Sequence, residues 1–488
     1  MSKQKSIKLN FVMNIILTMS NFIFPFITFP YICRILEPTG YGKVSSAVAF
    51  INIFNMFAQL GIPTYGVRAC AKVRDNKEEL NRVAHELLII NLVMNVFVYI
   101  ALIGTILLLP ELREEKTLYF IVSATILLTS IGMEWIYKAL EQYTYITIRS
   151  LIFKVIGIVF MFLFVHEQSD YVIYGGITIF AASASNIFNL INIRKYIVLK
   201  PVGGYHFKKH FQAVAVFFAM ACATTIYTNL DSVMLKFMTS DTDVGYYNAA
   251  VKLKGILVSI VTSLGTVLLP RATYYIENGL LDEFKKISTK ALNFVFLFAT
   301  PLMVFFIIFA KEGILFFSGE EYLESVAGMQ IIMPTLLLIG ITNILGIQIL
   351  IPLGKEKVVL WSEIAGAIVD IIANAILIPN FASAGAAMGT LLAEFVVLVV
   401  QYVALKDRMK DAFSQIRYLR ICLGIILAVL SVSWLGIVDL GAFFTLAIAG
   451  ILFFGVYGVY MLVLKEPLIF EIWETCWRKI QKKISQKK

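Results

Sequence analysis

Isolated lysines inside long apolar stretches are the residues of this sequence best suited to chemistry. Lys252 and Lys254 stand in "VGYYNAAVKLKG", and Lys154 stands in "LIFKVIGIV". A charge at mid-membrane costs about 2.5–3.5 kcal/mol on insertion scales, so it usually faces a cavity or a partner. Lysine binds phosphate as a flexible point charge. We therefore predict that these three lysines line a positively charged chamber suited to phosphate.

Among the carboxylates within apolar stretches, three are candidates for ion coupling or gating. Asp231 is part of the polar run "TTIYTNLDSVMLK", and Asp370 and Glu394 follow later in the chain. Asp231 fits a structural ion pair as well as it fits ion coupling or gating. Asp370 and Glu394 could bind a proton or a sodium ion, or could join neighbouring helices, and the sequence leaves both readings open.

Bond-breaking chemistry has no recognisable motif in this chain. The sequence contains no GxxxxGK[ST], HExxH or GxSxG pattern. Its five cysteines lack CxxC spacing, so we expect free thiols. His206 and His210 stand four residues apart, a spacing that makes a weak case for a metal site. We expect no catalytic residue, metal or cofactor, and a driving force other than ATP.

The elements that must position these residues are transmembrane helices. Hydrophobic residues make up 59% and charged residues 15% of the 488 residues, whereas soluble proteins average about 45–50% and 25%. Apolar runs of about 20 residues, enough to cross the membrane as a helix, recur throughout the chain. We predict an all-α membrane protein with fourteen spans, at about 9–32, 44–67, 87–109, 118–140, 146–165, 171–193, 212–237, 246–269, 291–309, 326–352, 358–378, 382–404, 419–437 and 440–463.

The distribution of basic residues predicts the orientation. With the N-terminus inside, the inner segments hold 33 of the 42 lysines and arginines. This positive-inside bias places both termini in the cytoplasm. The net charge of +10 then reflects a basic face beside anionic lipid, and no nucleic-acid partner is expected. A twelve-span alternative would merge or drop one adjacent pair, most readily at the short 438–441 turn.

Weak internal similarity predicts two halves. Gly40-Tyr41 matches Gly245-Tyr246, Leu60-Gly61 matches Leu264-Gly265, and Arg68 matches Arg271 in nearly one register. Parallel six-helix repeats, one of the two repeat classes of secondary transporters, would produce this pattern. The predicted divisions are a first half at 1–193, a cytoplasmic linker at 194–211, a second half at 212–404, and two extra helices with a basic cytoplasmic tail at 405–488.

Glycine and proline punctuate the first hairpin of each half. Gly40 and Gly42, with Pro38, would permit a tight outer turn in "PYICRILEPTGYG", and Gly245 would act alike in the second half. Pro25 and Pro30 could bend the first span. These five residues, Pro25, Pro30, Gly40, Gly42 and Gly245, are candidate hinges. An ordinary turn needs the same residue types, so that reading stays open.

Several of these stretches carry a family resemblance. "FPYICRILEPTGYG", "GMEWIYKALEQYTYITIRS", "LDSVMLK" with "VGYYNAAVKLKG", and "LLPRATYY" resemble the bacterial polysaccharide-export flippases of the multidrug/oligosaccharidyl-lipid/polysaccharide superfamily. The resemblance covers nearly the whole chain. It implies two six-helix bundles around a central cavity and two C-terminal helices. The implied activity is transfer of an undecaprenyl-pyrophosphate-linked sugar repeat unit between leaflets of the bacterial cytoplasmic membrane by alternating access.

The resemblance also suggests roles and partners. Lys154, Lys252 and Lys254 would face the pyrophosphate. Arg34 and Lys236 would lie near the outer exit, and Arg68 and Arg271 near the inner entrance, although snorkelling at a span end is a simpler reading of these four. Membrane lipids, and the polymerase and export machinery for O-antigen or capsule, would be the partners.

Three rival functions stay open from the sequence. A multidrug antiporter of the same superfamily would favour carboxylates over the lysines seen here. A peptidoglycan-precursor flippase would share the fold. A membrane sugar polymerase or ligase would need a large basic outer loop, whereas the longest predicted one, "AKEGILFFSGEEYLES", is acidic.

Overall fold

The fold is helical throughout the part of the chain that the structure describes. The structure is a computed structural model and describes residues 7–436, 438, 440–470 and 473–474. It contains no strand within those ranges. The basic segment 475–488, with Cys476, lies outside them.

Ten helices cover the chain up to residue 238. They are α1 (Ile7–Gln59), α2 (Ile62–Lys72), α3 (Lys77–Leu108), α4 (Pro110–Glu114), α5 (Lys116–Gly132), α6 (Glu134–Ala139), α7 (Tyr143–Phe164), α8 (Tyr171–Ile179), α9 (Asn186–Asn192) and α10 (Lys208–Met238). A π-helical segment, Phe180–Ala184, follows α8, and short 3₁₀ segments lie at Gln168–Asp170 and Ile193–Lys195.

Eight helices cover the rest of the described chain. They are α11 (Asp241–Glu277), α12 (Leu281–Ile308), α13 (Ala310–Phe317), α14 (Ser325–Ile332), α15 (Thr335–Thr342), α16 (Glu356–Ser414), α17 (Tyr418–Val432) and α18 (Ala442–Val463). A π-helical segment, Asn343–Leu350, follows α15, and 3₁₀ segments lie at Glu320–Tyr322 and Ser433–Gly436.

The described residues contain ten helical stretches long and apolar enough to cross a membrane. The prediction of an all-helical membrane protein is therefore confirmed. Two of the ten, Val12–Lys72 and Glu356–Asp407, are far longer than the roughly 20 residues that one crossing needs. The first overlaps the predicted spans at 9–32 and 44–67, and the second contains those at 358–378 and 382–404. The apolar helix Lys116–Gly132 is shorter than one crossing, and the count of fourteen stays a prediction.

One residue inside α1 and one inside α16 have a non-helical conformation. In α1 it is Glu37, with φ 55° and ψ 177°, and in α16 it is Ala382, with φ 45° and ψ −123°. Pro38 directly follows the first break, and a residue before proline is disfavoured in the α conformation. The turn therefore lies at Glu37 and Pro38, whereas Gly40 and Gly42 belong to the helix that follows.

The chain divides into two compact units. The first unit comprises residues 1–248 and 374–386, and the second comprises 249–373 and 387–488. Apolar clusters pack the first unit, among them one around Ile136 and Tyr137 and another around Leu102 and Tyr119. Close packing of these fully buried side chains against neighbouring helices holds α2, α3, α5 and α6 together.

The second unit is packed largely through aromatic and small residues. Phe305 of α12 lies 5.4 Å, ring centre to ring centre, from Phe453 of α18. Tyr457 of α18 donates a hydrogen bond of 3.0 Å to the carbonyl oxygen of Leu297 in α12. Gly340 of α15 leaves room for the Val295 side chain, because a Cβ there would lie 2.7 Å from it. These contacts fix α12, α15 and α18 as one body.

Candidate functional site

Lys154 of α7 is held by polar side chains of α1. Its ammonium donates to Ser20 Oγ at 2.7 Å and to Asn21 Oδ1 at 2.6 Å, and lies 5.7 Å from the ring centre of Phe24. The lysine is half-buried, and its two oxygen partners are neutral. Since neither compensates the positive charge, the ammonium can still attract an anion.

Asp231 of α10 is buried, with 4% of its surface exposed. Its Oδ1 accepts a 2.7 Å hydrogen bond from the Asn374 amide, and its Oδ2 accepts one from the Tyr247 hydroxyl. Hydrogen bonds from both sides stabilise the carboxylate in an apolar setting. The residue therefore links α10 to α11 and α16 within the first unit.

The start of the helical run after Glu37 and the start of α11 touch through glycine. A Cβ on Gly42 would overlap the Asp241 carbonyl group and lie 2.8 Å from the Gly245 nitrogen. A Cβ on Gly245 would overlap the Pro38 carbonyl group in turn. Thr39 Oγ1 and Thr242 Oγ1 lie 2.8 Å apart and share a hydrogen bond. We call these contacts the glycine crossing. Only residues without a Cβ permit such close backbone approach.

Asp241 of the glycine crossing also forms an ion pair and a hydrogen bond. Lys236, near the end of α10, pairs with Asp241, and both side chains are mostly buried. Ser46 Oγ lies 3.2 Å from the other carboxylate oxygen of Asp241. Arg34 is exposed and donates a 2.7 Å hydrogen bond to the carbonyl oxygen of Pro30. Lys236 thus neutralises a carboxylate in this structure.

The other predicted residues are distributed along both units. Pro25 and Pro30 lie inside α1, and Gly40 is buried. Arg68 is exposed on α2, Lys252 is exposed on α11 and Lys254 is half-buried there. Asp370 and Glu394 of α16 are buried, with 2% and 6% of their surfaces exposed. The side chain of Arg271 lies outside the described residues.

A buried carboxylate that the sequence analysis missed joins α3 to the start of α10. Glu86 is fully buried, and its Oε2 lies 2.7 Å from His210 Nε2 and 2.9 Å from Lys209 Nζ. Its Oε1 accepts a 2.6 Å hydrogen bond from the backbone N–H of His206, and Tyr65 contacts the far nitrogen of His210 at 2.8 Å. Both histidines therefore serve a structural network, and no group of three metal-binding side chains occurs among the described residues.

A second missed ion pair lies within the resembling stretch "GMEWIYKALEQYTYITIRS". Arg149 of α7 is buried, and it donates to Glu134 Oε2 at 3.0 Å and to Asn186 Oδ1 at 3.2 Å. The spacing of fifteen residues between Arg149 and Glu134 gives no helical-neighbour signal, because only residues three or four apart share a helix face. Through Glu134 and Asn186, Arg149 connects α7 to α6 and α9.

One surface ion pair of the second unit joins Lys285, near the start of the candidate span Leu281–Ile308, to Asp411, which follows the candidate span Glu356–Asp407. Lys285 Nζ lies 2.6 Å from Asp411 Oδ2, and the hydrogen bond and charge of this lysine lower the pKa of the Asp411 carboxyl. Both side chains are exposed, so the pair adds little stability.

Comparison with known proteins identifies the family. The family described as "Polysaccharide biosynthesis protein" matches residues 7–275, more than half of the chain. The chain belongs to this family. The ten candidate spans make it a multi-span membrane protein, and the relatives reported next, which are named as transporters, support a place in the bacterial inner membrane.

Two curated relatives are similar over most of their length. A protein named "Putative O-antigen transporter" from Shigella dysenteriae is 25% identical over 392 residues, which cover 79% of this chain and 97% of the relative. A protein of the same name from Escherichia coli K12 is 24% identical over 396 residues, covering 80% and 95%. The predicted resemblance to polysaccharide-export flippases is thereby confirmed.

Solved structures share the fold. The structure titled "Lipid II flippase MurJ, inward closed conformation" aligns with a TM-score of 0.68 at 18% identity, covering 94% of this chain and 100% of that one. An inward-facing multidrug resistance MATE transporter aligns with a TM-score of 0.59 at 12% identity, covering 80% and 98%. At these identities the likeness concerns the fold alone.

Proposed function

We propose that this protein moves undecaprenyl-pyrophosphate-linked oligosaccharide repeat units from the inner to the outer leaflet for surface polysaccharide assembly. The observation that carries the proposal is Lys154, an ammonium held by neutral oxygens among the apolar helices of a polysaccharide-family transporter. A pyrophosphate is costly in hydrocarbon, so its path needs cations and water, while the polyprenyl tail stays in lipid. The protein acts as a transporter and not as an enzyme.

In the proposed path the basic residues act one after another. Arg68 and Arg271 receive the pyrophosphate at the inner side, Lys154, Lys252 and Lys254 carry it, and Arg34 and Lys236 release it at the outer side. Asp231, Asp370 and Glu394 supply ion coupling or gating. This arrangement uses fourteen spans with both termini in the cytoplasm, which the breaks at Glu37 and Ala382 support by dividing the two longest stretches.

Alternating access requires a contact that opens and closes. The glycine crossing supplies one, because it joins the first hairpin of each predicted half by close backbone contact and one threonine pair. Such contacts close fully or not at all, since packed helices are bistable rather than continuously deformable. Opening of this crossing at the outer side, with the bends at Pro25 and Pro30, releases the head group without nucleotide hydrolysis.

Leaflet transfer in proteoliposomes tests the proposal. The substrate is a short fluorescent polyprenyl-pyrophosphate disaccharide, and its exposure is scored with an impermeant glycosidase. We expect wild-type protein to expose it and Lys154→Ala to reduce the rate at least tenfold, while Lys77→Ala, at an exposed position on α3, keeps the wild-type rate. Equal rates in Lys154→Ala and wild type would contradict the role of this lysine.

The same vesicles separate the rival functions. Gradient-driven movement of a cationic dye without lipid transfer would assign the chain to multidrug antiport. Transfer of a lipid-linked peptidoglycan precursor in preference to the polysaccharide precursor would assign it to cell-wall synthesis. The shared fold is compatible with both rival functions, but no particular residue of this chain favours either of them.

A further inference from the structure

A cavity of about 320 Å³ lies within the first unit, and none of the charged residues discussed above lines it. Its walls come from the part of α1 after Glu37, the start of α2 and the middle of α10. The polar side chains that line it are Asn52, Asn55, Gln59, Thr64, Thr225 and Asn229. We call this cavity the amide chamber. Its volume falls within the range of about 300–1,000 Å³ that is usual for ligand pockets.

The lining chemistry selects an uncharged, hydroxyl-rich ligand. Four of the six polar side chains are carboxamides, and none of the ten lining residues is ionisable. Each carboxamide offers two N–H donors and a carbonyl acceptor, which suits neighbouring hydroxyl groups that both donate and accept. A phosphate or a cation would find no opposite charge here. Met56, Pro63 and Ala221 add apolar surface against which the C–H face of a sugar ring can pack.

Hydrogen bonds hold the amides in place before any ligand binds. Asn52 Nδ2 donates to Asn229 Oδ1 at 3.0 Å, and Asn229 Nδ2 donates to the Thr225 carbonyl oxygen at 3.0 Å. Gln59 is 7% exposed, and its Nε2 donates to Ser130 Oγ at 2.7 Å. These bonds join α1, α5 and α10, so the chamber is pre-organised, which lowers the entropic cost of binding.

Part of the hydrogen-bonding capacity of these amides is left for a ligand. Among the described residues, no hydrogen bond reaches Asn52 Oδ1 or Gln59 Oε1, whereas the amide nitrogens of both side chains donate. Two carbonyl acceptors at a polar cavity wall are available to hydroxyl donors. Their fixed N–H groups set the direction in which these oxygens point.

We propose that the amide chamber binds an uncharged sugar of the lipid-linked substrate and thereby selects lipids that carry the oligosaccharide. This inference rests on the proposed function. The chamber and the lysines then divide the head group between them, the amides taking hydroxyls and the lysines taking the pyrophosphate. A polyprenyl pyrophosphate without sugar satisfies only the second set and binds more weakly.

The test compares two probes on the intact protein in detergent. One is a polyprenyl-pyrophosphate disaccharide and the other is the same lipid pyrophosphate without sugar, with affinities measured by fluorescence titration. The main variant is Asn52→Leu with Asn229→Leu, which replaces both partners of one hydrogen bond by apolar groups of similar shape and so leaves neither partner unpaired. The control is Asn380→Leu, an exposed amide elsewhere in the same unit.

We expect the double variant to bind the sugar-bearing lipid at least tenfold more weakly and the bare lipid as wild type does. Unchanged preference for the sugar-bearing lipid in the double variant, or in Thr64→Val should the double variant fail to fold, overturns the inference alone. For Thr64→Val the expected loss is about threefold. Wild-type protein that binds neither lipid overturns the proposed function and the inference together.

Discussion

The glycine crossing gives the sharpest prediction. In Gly42→Ala the new Cβ would lie 2.8 Å from the Gly245 nitrogen, whereas ordinary contact begins at 3.4 Å, so the two helices must separate by at least about 0.6 Å. The overlap with the Asp241 carbonyl group demands more. The hydrogen bond of 2.8 Å between Thr39 and Thr242 then stretches to its limit or breaks.

The size of the effect follows from packing energetics. Forcing one extra methyl into a close-packed contact costs about 1–3 kcal/mol. Such a cost shifts a two-state equilibrium by about 5- to 150-fold away from the closed crossing. Gly245→Ala should shift the equilibrium by a similar factor. The double variant Gly42→Ala with Gly245→Ala should cost less free energy than the two single variants added together, because one separation of the helices relieves both overlaps.

Disulfide cross-linking measures this equilibrium directly. Cysteines at positions 39 and 242, in a chain whose five native cysteines are replaced, should oxidise readily because the two threonine oxygens lie 2.8 Å apart. We expect the Gly42→Ala background to reduce the cross-linking rate at least fivefold. The matched control is Gly255→Ala on α11, where a Cβ meets no atom within 4 Å. Equal rates in Gly42→Ala and Gly255→Ala would refute the crossing as a closing contact.

Two further predictions concern charge. The double variant Lys252→Ala with Lys254→Ala should abolish lipid transfer in proteoliposomes. Membrane fractionation should show that the variant still inserts into membranes. Transfer at the wild-type rate would remove both lysines from the path. Glu86→Ala should lower the free energy of unfolding by about 1–3 kcal/mol, because it leaves the buried His210 side chain and the His206 backbone N–H without their hydrogen-bond acceptor. Thermal unfolding in detergent measures this loss, with Glu78→Ala, a change at an exposed position of the same helix, as the control. Equal unfolding midpoints for the two variants would contradict the structural role of Glu86.

The cation and its polar partners could be predicted separately, but not their pairing. Lys154 stands out because a charge is rare in an apolar stretch, and the asparagines of the first span stand out for the same reason. Their contact joins residues 133 positions apart. No periodicity within one helix encodes such a distance. The contact between Glu86 and His210 was missed for the same reason, since 124 residues separate the two.

Glycine in the first hairpin predicts a turn, and the turn lies a few residues earlier. Glu37 takes a positive φ, which glycine adopts more readily than other residues, and it directly precedes Pro38, which disfavours the α conformation at that position. Proline also suits the first turn of the helical run that it begins. Gly40 and Gly42 then serve packing rather than chain reversal. From the sequence alone, a glycine that allows an unusual backbone angle looks the same as one that allows close packing. The role of Gly40 and Gly42 as hinges stays a prediction.

The geometry of the glycine crossing supports the proposed parallel repeat. Thr39 meets Thr242, and the offset of 203 that separates them also separates Gly42 from Gly245 and Pro38 from Asp241. Gly42 contacts Asp241 while Gly245 contacts Pro38, so each contact has its mirror, as in an interface between two copies related by a two-fold axis. Arg68 and Arg271 share this offset, whereas the Gly-Tyr match at 40 and 245 does not. Since an accidental crossing has no reason to be reciprocal, equivalent hairpins of two repeats explain it best, and the closing contact then lies on the repeat axis.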